Sequence, residues 1–227
     1  MSDPISGSST DGLIPGVLGS NSTGGLGVWG LSDNGNGVYG SSNTGTGVVG
    51  QSASGKAGEF QGNVTITGKL TGNGDVTISG SLTAADVLLS GKDCAEEFEI
   101  ANSVSIEPGT VVVINDEGSI GETSEPYNKR VAGVISGAGK FRSALILGRN
   151  GSSGEGKAPV ALVGRVYCKV DASYSGIEVG DMLTTSPTSG CAMKASDPAR
   201  AFGAVIGKAL ASIKDGRDLI PILVALQ

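Results

Sequence analysis

The feature of this sequence that most constrains its fold is a run of short repeats over residues 27–58. Successive copies carry the pattern Gly-Val-x-Gly at a spacing of about ten residues, joined by polar links rich in Ser, Asn and Gly. The clear copies are Gly27-Val28-Trp29-Gly30, Gly37-Val38-Tyr39-Gly40 and Gly47-Val48-Val49-Gly50, with looser copies at 16–19 and 57–60. A fixed period of this kind predicts a repeat architecture.

One repeat is too small to enclose a core by itself. Val and the residue after it favour a short extended segment, and the flanking glycines, with Ser, Asn and Asp, suit corners with positive φ. Because a strand rises about 3.3 Å per residue, a coil of about ten residues has little interior. Three parallel copies of the chain would share such a small core. The repeat size therefore predicts an intertwined trimeric β-repeat shaft, similar to a β-helix.

Three other interpretations of the repeats fit less well. Collagen needs Gly at every third position, and calcium-binding nonapeptide solenoids need a regularly placed Asp, but Asp33 is replaced by Asn43 and Ala53 in the next links. A flexible glycine-serine linker would not hold Val and an aromatic residue at a fixed register.

Composition restricts the possible functions. The net charge of −6 disfavours nucleic acid as a partner, since phosphate neutralisation needs an excess of Lys and Arg. The absence of His removes Ser-His-Asp and Cys-His catalysis and the usual zinc sites. The three cysteines, Cys94, Cys168 and Cys191, are widely spaced and are expected as buried small side chains.

No cofactor is expected, and no apolar stretch reaches the length of a membrane span. The N-terminus lacks a secretory signal, so we expect cytoplasmic synthesis and release by lysis or through a machine.

A second repeat, with a period of about twelve residues, follows the first. Val64 and Ile66 alternate with Thr, and Val76 and Ile78 repeat the pattern. Such alternation is typical of half-buried strands, whose apolar face would point to the axis of a trimer. Residues 84–89 then end the shaft as a last strand or a short helical turn.

From about residue 93 the short period stops and a compact β-domain is predicted, as a barrel or a sandwich. Strands are expected over 110–114, 131–135, 143–147, 160–170, 204–213 and 219–226. Residues 199–214 contain enough Ala for a helix, but Gly203, Gly207 and the alternation of apolar residues favour a strand. Because proline cannot donate to a ladder, the strand with Pro221 is expected to begin there or to lie at an edge. Its apolar C-terminal part predicts a buried strand, so removal of the last five residues is expected to damage the fold severely.

Several segments carry a family resemblance. The Gly-Val-x-Gly repeats followed by Phe-Gln-Gly-Asn-Val-Thr-Ile-Thr-Gly at 60–68 resemble trimeric shafts of phage tail fibres and of bacterial surface and contractile-injection appendages. The segments at 127–139, 166–172, 177–187 and 201–210 resemble a bacterial domain found after such repeats. Asp-Cys-Ala-Glu-Glu-Phe-Glu at 93–99 is similar to the start of autoproteolytic chaperone domains of phage appendage proteins. This resemblance implies a domain that brings three chains into register and, in some members, cleaves itself off.

Few residues are candidates for chemistry. Asp93, Glu96, Glu97 and Glu99 form an acidic cluster that is interpreted as the solvated start of the domain. On a three-fold axis, Asp93, Glu96 and Glu97 could instead bind a cation through oxygen ligands. If self-cleavage occurs, it is expected near the Ser-Gly-Lys-Asp segment at 90–93, with Ser or Asp attacking, or with a Ser–Lys pair.

Two aromatic residues are candidates for binding. Trp29 and Tyr39 occupy equivalent places in successive repeats. They could form a ladder that stacks on sugar rings, but packing within the shaft is the favoured interpretation.

These patterns lead to one main hypothesis. The chain is expected to be an all-β structural protein and not an enzyme, with a leader at 1–15, a shaft at 16–90 and a trimerising head at 91–227. It would form a homotrimeric fibre outside the cell, attached to a baseplate or another particle component through its N-terminus, with the head setting register and contacting a surface. A self-cleaving chaperone domain and a carbohydrate-binding module that recognises cell-surface glycans are the alternatives.

Overall fold

The computed structural model describes residues 6–10, 15–101, 105–149 and 156–225. The chain divides into two compact units, Met1–Ser79 and Gly80–Gln227. Much of the predicted leader, at 1–5 and 11–14, lies outside the described residues.

The first unit is made of extended segments and bends. Residues 6–10 and 15–79 contain no helix and no strand. The predicted β-structure of the shaft is thus not formed within one chain, and it stays a prediction about an assembly of chains.

The repeats of the first unit are organised by pairs of residues whose backbones touch. A β-carbon placed on Gly30 would lie 2.3 Å from the carbonyl oxygen of Gly37, and one on Gly37 would lie 2.9 Å from that of Gly30. Such distances exclude any side chain at Gly30 without a shift of the backbone. The same arrangement joins Gly7 with Gly16, Gly19 with Gly27, Gly40 with Gly47, and Gly50 with Ala57. We call these five pairs the glycine contacts.

Three of the links between paired residues are closed by the same side-chain hydrogen bond. The Gly35 amide donates to Ser32 Oγ at 2.9 Å, and Gly45 with Ser42 and Gly55 with Ser52 repeat this bond at 2.9 Å. Ser hydroxyls favour such local turns because they substitute for a backbone acceptor. The repeat of about ten residues seen in the sequence is therefore a repeat of structure as well.

The role predicted for the repeat glycines needs a correction. They were expected to provide corners with positive φ, but among the described residues of the first unit only Gly24 and Gly62 have such angles. The glycines of the glycine contacts are instead required by the close approach of two backbones, which a β-carbon would block.

The second unit is a β-domain with ten strands and one short helix in its described part. The strands are β1 (Asp93–Glu99), β2 (Val111–Ile114), β3 (Ile120–Glu122), β4 (Val131–Ile135), β5 (Ser143–Leu147), β6 (Lys157–Asp171), β7 (Met182–Thr185), β8 (Ala192–Lys194), β9 (Val205–Ala209) and β10 (Arg217–Ala225); the helix is α1 (Pro198–Ala201). Residues 84–89, expected as a strand or a helical turn, form neither.

Five strands close into a barrel, which we call the C-terminal barrel. The order is β6-β10-β9-β7-β8, and β8 returns to β6 through Val170 and Ala192. Along β6, Val166, Cys168 and Val170 are buried while the residues between them are half-buried, as period-two alternation requires. The barrel predicted as one of two options is thus confirmed.

The other half of the domain forms a second closed circuit of strands, which we call the N-terminal barrel. Its order is β1-β6-β4-β2-β3, and a parallel bridge from Ile120 to Ile100, directly after β1, completes it. Its core is separate from that of the C-terminal barrel and contains Ile100, Val112, Ile120, Ala132, Ile135, Ala158 and Val160. Strand β5 pairs with β1 alone and forms an edge. The long strand β6 contributes to both barrels.

Most of the strand predictions agree with the structure. Strands β4 and β5 have the predicted bounds, and β2, β6 and β10 overlap their predicted segments. The segment 199–214 contains both predicted elements, since α1 ends at Ala201 and β9 follows. Across the described residues, no helix is long and apolar enough to cross a membrane.

The prediction for Pro221 was wrong. It lies inside β10, opposite Tyr167 of β6, and β9 pairs with β10 from Ile222 onward. The Pro221 carbonyl accepts a hydrogen bond from the Leu210 amide, just past the end of β9. In an antiparallel strand the N and O atoms of one residue point to the same side. The Pro221 nitrogen therefore faces Leu210, and the hydrogen bond that proline cannot donate lies just past the end of β9.

Candidate functional site

The head contains a buried carboxyl group without hydrogen bonds. Asp93, the first residue of β1, is 3% exposed, and neither of its carboxylate oxygens has a hydrogen-bond partner. Two hydroxyl groups lie beside it, Ser136 Oγ and Ser143 Oγ, and they are bonded to each other at 2.6 Å. Buried polar groups without partners are rare in folded proteins, so we take these three residues as the candidate site.

Three strands place Asp93 in this position. It lies opposite Ser143 of the parallel strand β5 and opposite Gly164 of the antiparallel strand β6. Gly164 has φ of 113°, and a β-carbon there would lie 2.7 Å from the Asp93 α-carbon. Only glycine fits this approach, which lets β6 close over the carboxyl group.

The chain before Asp93 is also held tightly. A β-carbon on Gly91 would lie 2.2 Å from the backbone nitrogen of Ala144 in β5. The Lys92 amide donates to the Arg142 carbonyl at 2.8 Å, and its carbonyl accepts from the Arg165 amide at 3.0 Å. The segment predicted for self-cleavage thus enters the sheet beside Ser143.

Burial controls the charge of the candidate site. Removal from water raises the pKa of Asp93, and the hydroxyl groups of Ser136 and Ser143 lower it by a smaller amount, without the geometry of a hydrogen bond. A carboxyl group with a raised pKa in a closed site is suited to holding a proton that it can later release.

The rest of the acidic cluster is not gathered at this site. The Glu97 side chain is 5% exposed and forms an ion pair with Arg149 at 2.8 Å, Glu96 is half-buried, and Glu99 is exposed. The interpretation of the cluster as a solvated segment is therefore wrong for Asp93 and Glu97. No group of three or more Asp, Glu, Cys or His side chains that could hold a metal occurs within the described part of the chain. The cation site with Asp93, Glu96 and Glu97 stays a prediction about several chains.

The two aromatic candidates lie in the first unit with their side chains largely in solvent. Trp29 is 71% exposed and Tyr39 is 77% exposed. The valines before them each place one methyl group, Cγ2, near a repeat glycine, Val28 near Gly19 and Val38 near Gly30. Val28 and Val38 are nevertheless as exposed as the rings. The valines and the aromatic rings are thus all left for another partner.

Two of the three residues at the candidate site were missed in the sequence. Ser136 and Ser143 carry no local signal, because serine is common in loops and at strand ends. Ser143 reaches Asp93 through the parallel pairing of β5 with β1. Ser136 directly follows β4 and donates its amide to the Pro159 carbonyl of β6. No sequence spacing indicates either pairing. The lack of a hydrogen bond to the Asp93 carboxylate could not be predicted from the sequence either.

The cysteines agree with their predicted role in part. Cys168 and Cys191 are buried, whereas Cys94 is half-buried, and all three are free thiols. Burial, followed by the neighbouring Cys191, raises the pKa of Cys168. Cys168 is therefore a poor nucleophile, which matches a packing role.

Comparison with known proteins gives only distant likenesses. No protein-family model matches the chain, and no curated protein matches it. The crystal structure of the pre-mature bacteriophage phi29 gene product 12 is similar at a TM-score of 0.46 and 16% identity, over 65% of this chain and 24% of that one. Its C-terminal fragment is similar at a TM-score of 0.40 and 15% identity, over 59% of this chain and 100% of the fragment. This chain therefore spans about a quarter of the first protein. Both neighbours are phage proteins, but likenesses this weak do not define a common fold.

Proposed function

We propose that this protein is a structural, non-enzymatic fibre protein that works as a homotrimer. Residues 16–90 form the stalk and residues 91–227 form a head that aligns the chains and contacts a surface. The N-terminal segment attaches the fibre to a larger phage-like particle, such as a baseplate, so the protein acts outside the cell.

One observation carries this proposal: the regularly spaced apolar side chains of the first unit are exposed in the single chain. They include Val28, Trp29, Val38, Tyr39, Val48, Val49, Phe60, Val64, Ile66, Val76 and Ile78. Burial of one such side chain stabilises a fold by roughly 1.5–3 kcal/mol. The repeat spacing, the glycine contacts and the serine hydrogen bonds support an ordered segment rather than a linker. Other chains would then supply the missing burial.

Further copies of the same chain are the partners that best fit these side chains. Identical repeats brought together by rotation present the same residues to one another, and closed symmetry is the rule for soluble oligomers. A repeat of about ten residues leaves a narrow axis, which three chains can fill with one Val from each chain.

The head supplies the unique alignment of the chains that the repeats alone cannot fix. Near-identical repeats can slip by one period at little cost, whereas a domain with a unique sequence cannot. The two barrels have separate cores and share β6, so the head can fold as one defined body. Docking of three heads would fix the alignment of the three shafts.

Native mass spectrometry of the full-length protein, paired with its mass under denaturing conditions, tests the proposal. We expect an assembly of three times 22.4 kDa built from intact chains. A monomer would contradict the homotrimer, because the exposed side chains would then need another explanation. A second measurement tests the head, since a clean trimer formed by residues 1–90 alone would contradict its role in register.

A self-processing head is the second candidate, and the buried carboxyl group of Asp93 favours it. This group lies three residues after Ser90, in a site that raises its pKa. Cleavage near Gly91 would appear as two fragments in the denatured mass. The Asp93→Asn variant would then stay intact, while Glu117→Gln, on an exposed turn, would still be cleaved. Intact wild-type chains within a stable trimer would exclude this candidate.

A further inference from the structure

We propose that Asn36-Gly37 is a preferred site of spontaneous deamidation in the shaft, and that Ser32 protects the neighbouring Asn34-Gly35. The two sequences lie in the same link between repeats, two residues apart. They differ in whether the amide nitrogen that would react is already engaged in a hydrogen bond.

The reaction needs only the chain and water. The backbone nitrogen after Asn loses its proton and attacks the side-chain Cγ, a nitrogen–carbon bond forms, and ammonia leaves. The resulting five-membered succinimide is opened by water to aspartate or isoaspartate. Glycine in the following position permits this attack because it has no side chain to obstruct it and the widest choice of φ and ψ.

The Asn-Gly sequences differ in whether the backbone amide of the glycine donates a hydrogen bond. The Gly35 amide donates to Ser32 Oγ at 2.9 Å, so its proton is held by the hydroxyl group. Within the described part of the chain, the amides of Gly37 and Gly74 have no hydrogen-bond acceptor. Asn34, Asn36 and Asn73 are all exposed, so water reaches each of them equally. The Asn-Gly at 150–151 lies outside the described residues.

The position of Asn36 gives the modification a structural effect. Gly37 faces the carbonyl of Gly30 in one of the glycine contacts. Isoaspartate at position 36 would add one backbone atom to the link between Gly30 and Gly37. Either product would also add a negative charge to a link that already carries Asp33. Deamidation would thus loosen one defined repeat and leave the links at Ser42 and Ser52 unchanged.

Peptide mapping of the full-length protein during incubation at mildly alkaline pH tests this inference. Tandem mass spectrometry separates conversion at Asn34 from conversion at Asn36. We expect Asn34 to convert about five-fold more slowly than Asn36, the effect of one hydrogen bond to a backbone amide. Asn73, which has no such bond, serves as the internal reference.

Two variants test whether the hydrogen bond from the Gly35 amide to Ser32 Oγ causes the slower conversion of Asn34. Ser32→Ala should raise the rate at Asn34 to that at Asn36. Ser42→Ala removes the equivalent bond to Gly45, where the preceding residue is Thr44, and should leave the rate at Asn34 unchanged. Equal rates at Asn34 and Asn36 in the wild type, or no response to Ser32→Ala, would overturn the inference.

Discussion

The α-carbon of Gly40 faces Gly47 so closely that a β-carbon on Gly40 would lie 2.5 Å from the Gly47 carbonyl oxygen and 2.5 Å from Val48 Cγ2. The Gly40→Ala variant must therefore separate the two segments. We expect a loss of about 1–3 kcal/mol, as for other overpacked sites, seen as a lower melting temperature of the full-length assembly. Gly68→Ala is the matched control in the same unit, because nothing lies within 4 Å of its β-carbon position. Equal melting temperatures for the two variants would contradict the role of the glycine contacts.

The charge of Asp93 should make the head less stable as the pH rises. Because burial raises the pKa of Asp93, the folded state binds more protons than the unfolded state between the ordinary carboxyl pKa and the raised one. Stability should fall through that window and then stay level. At neutral pH, Asp93→Asn should stabilise the head by about 1–3 kcal/mol, since it removes a buried charge without a partner. Urea unfolding across a pH series measures this, and Glu117→Gln is the exposed control. A less stable Asp93→Asn variant at neutral pH would argue for a carboxylate that is needed in the fold.

Two neighbouring residues of β10 should respond differently to truncation. Ile222 is fully buried in the C-terminal barrel, whereas Leu223 is 40% exposed on the outer face. Ile222→Ala should cost about 2–5 kcal/mol, and Leu223→Ala about 1 kcal/mol, in chemical unfolding. Removal of residues 223–227 deletes three paired positions of β10 and should abolish soluble expression. A folded, soluble truncation would show that the barrel closes without them.

Thiol labelling of the native protein should reach one cysteine at most. Burial raises the pKa of Cys168 and is the main cause of the raised pKa of Cys191, to which Asp171 also contributes. Since the thiolate is the reactive form, only the half-buried Cys94 should react quickly with a disulfide reagent. Cys94→Ser should remove this fast phase, and denaturant should expose all three thiols in the wild type. Fast labelling of Cys168 in the folded protein would indicate that the barrel opens.

Trp29, the only tryptophan of the chain, reports directly on packing of the shaft. Its ring is 71% exposed in the single chain, so assembly with other copies should shift its emission to shorter wavelengths and reduce quenching by acrylamide. Dilution to a concentration that dissociates the assembly should reverse both effects. A trimer whose Trp29 is still fully quenched would place the ring on the outer surface, where it could stack on sugars.

A strongly apolar strand could be predicted from the sequence, and an acidic strand could not. Val131 to Ile135 of β4 are apolar except for one glycine, and their bounds were predicted correctly. Strand β1 has four acidic residues among seven, a composition that disfavours strands. It forms because β5 and β6 pair with it on both sides. The strands β3, β7 and β8 were missed because three or four residues carry too short a pattern to be recognised.

The candidate site was only partly predictable. Asp93 was selected from the sequence for its place in an acidic cluster, yet its importance in the structure comes from burial without a hydrogen-bond partner. In the shaft, the period was evident, but the reason for its glycines was not. Close approach of two backbones is a property of tertiary geometry, and the sequence pattern fits positive φ equally well.

Sharing of β6 between the two barrels has a consequence for the order of folding. The N-terminal barrel needs β1 to β4 with β6, and the C-terminal barrel needs β6 with four strands that are synthesised later. Such long-range pairings are slow to form. On the ribosome, the apolar repeats of the shaft emerge before either barrel can close. The nascent chain therefore passes through an interval in which its repeats are exposed and its head is unfinished, and chaperones would act during this interval.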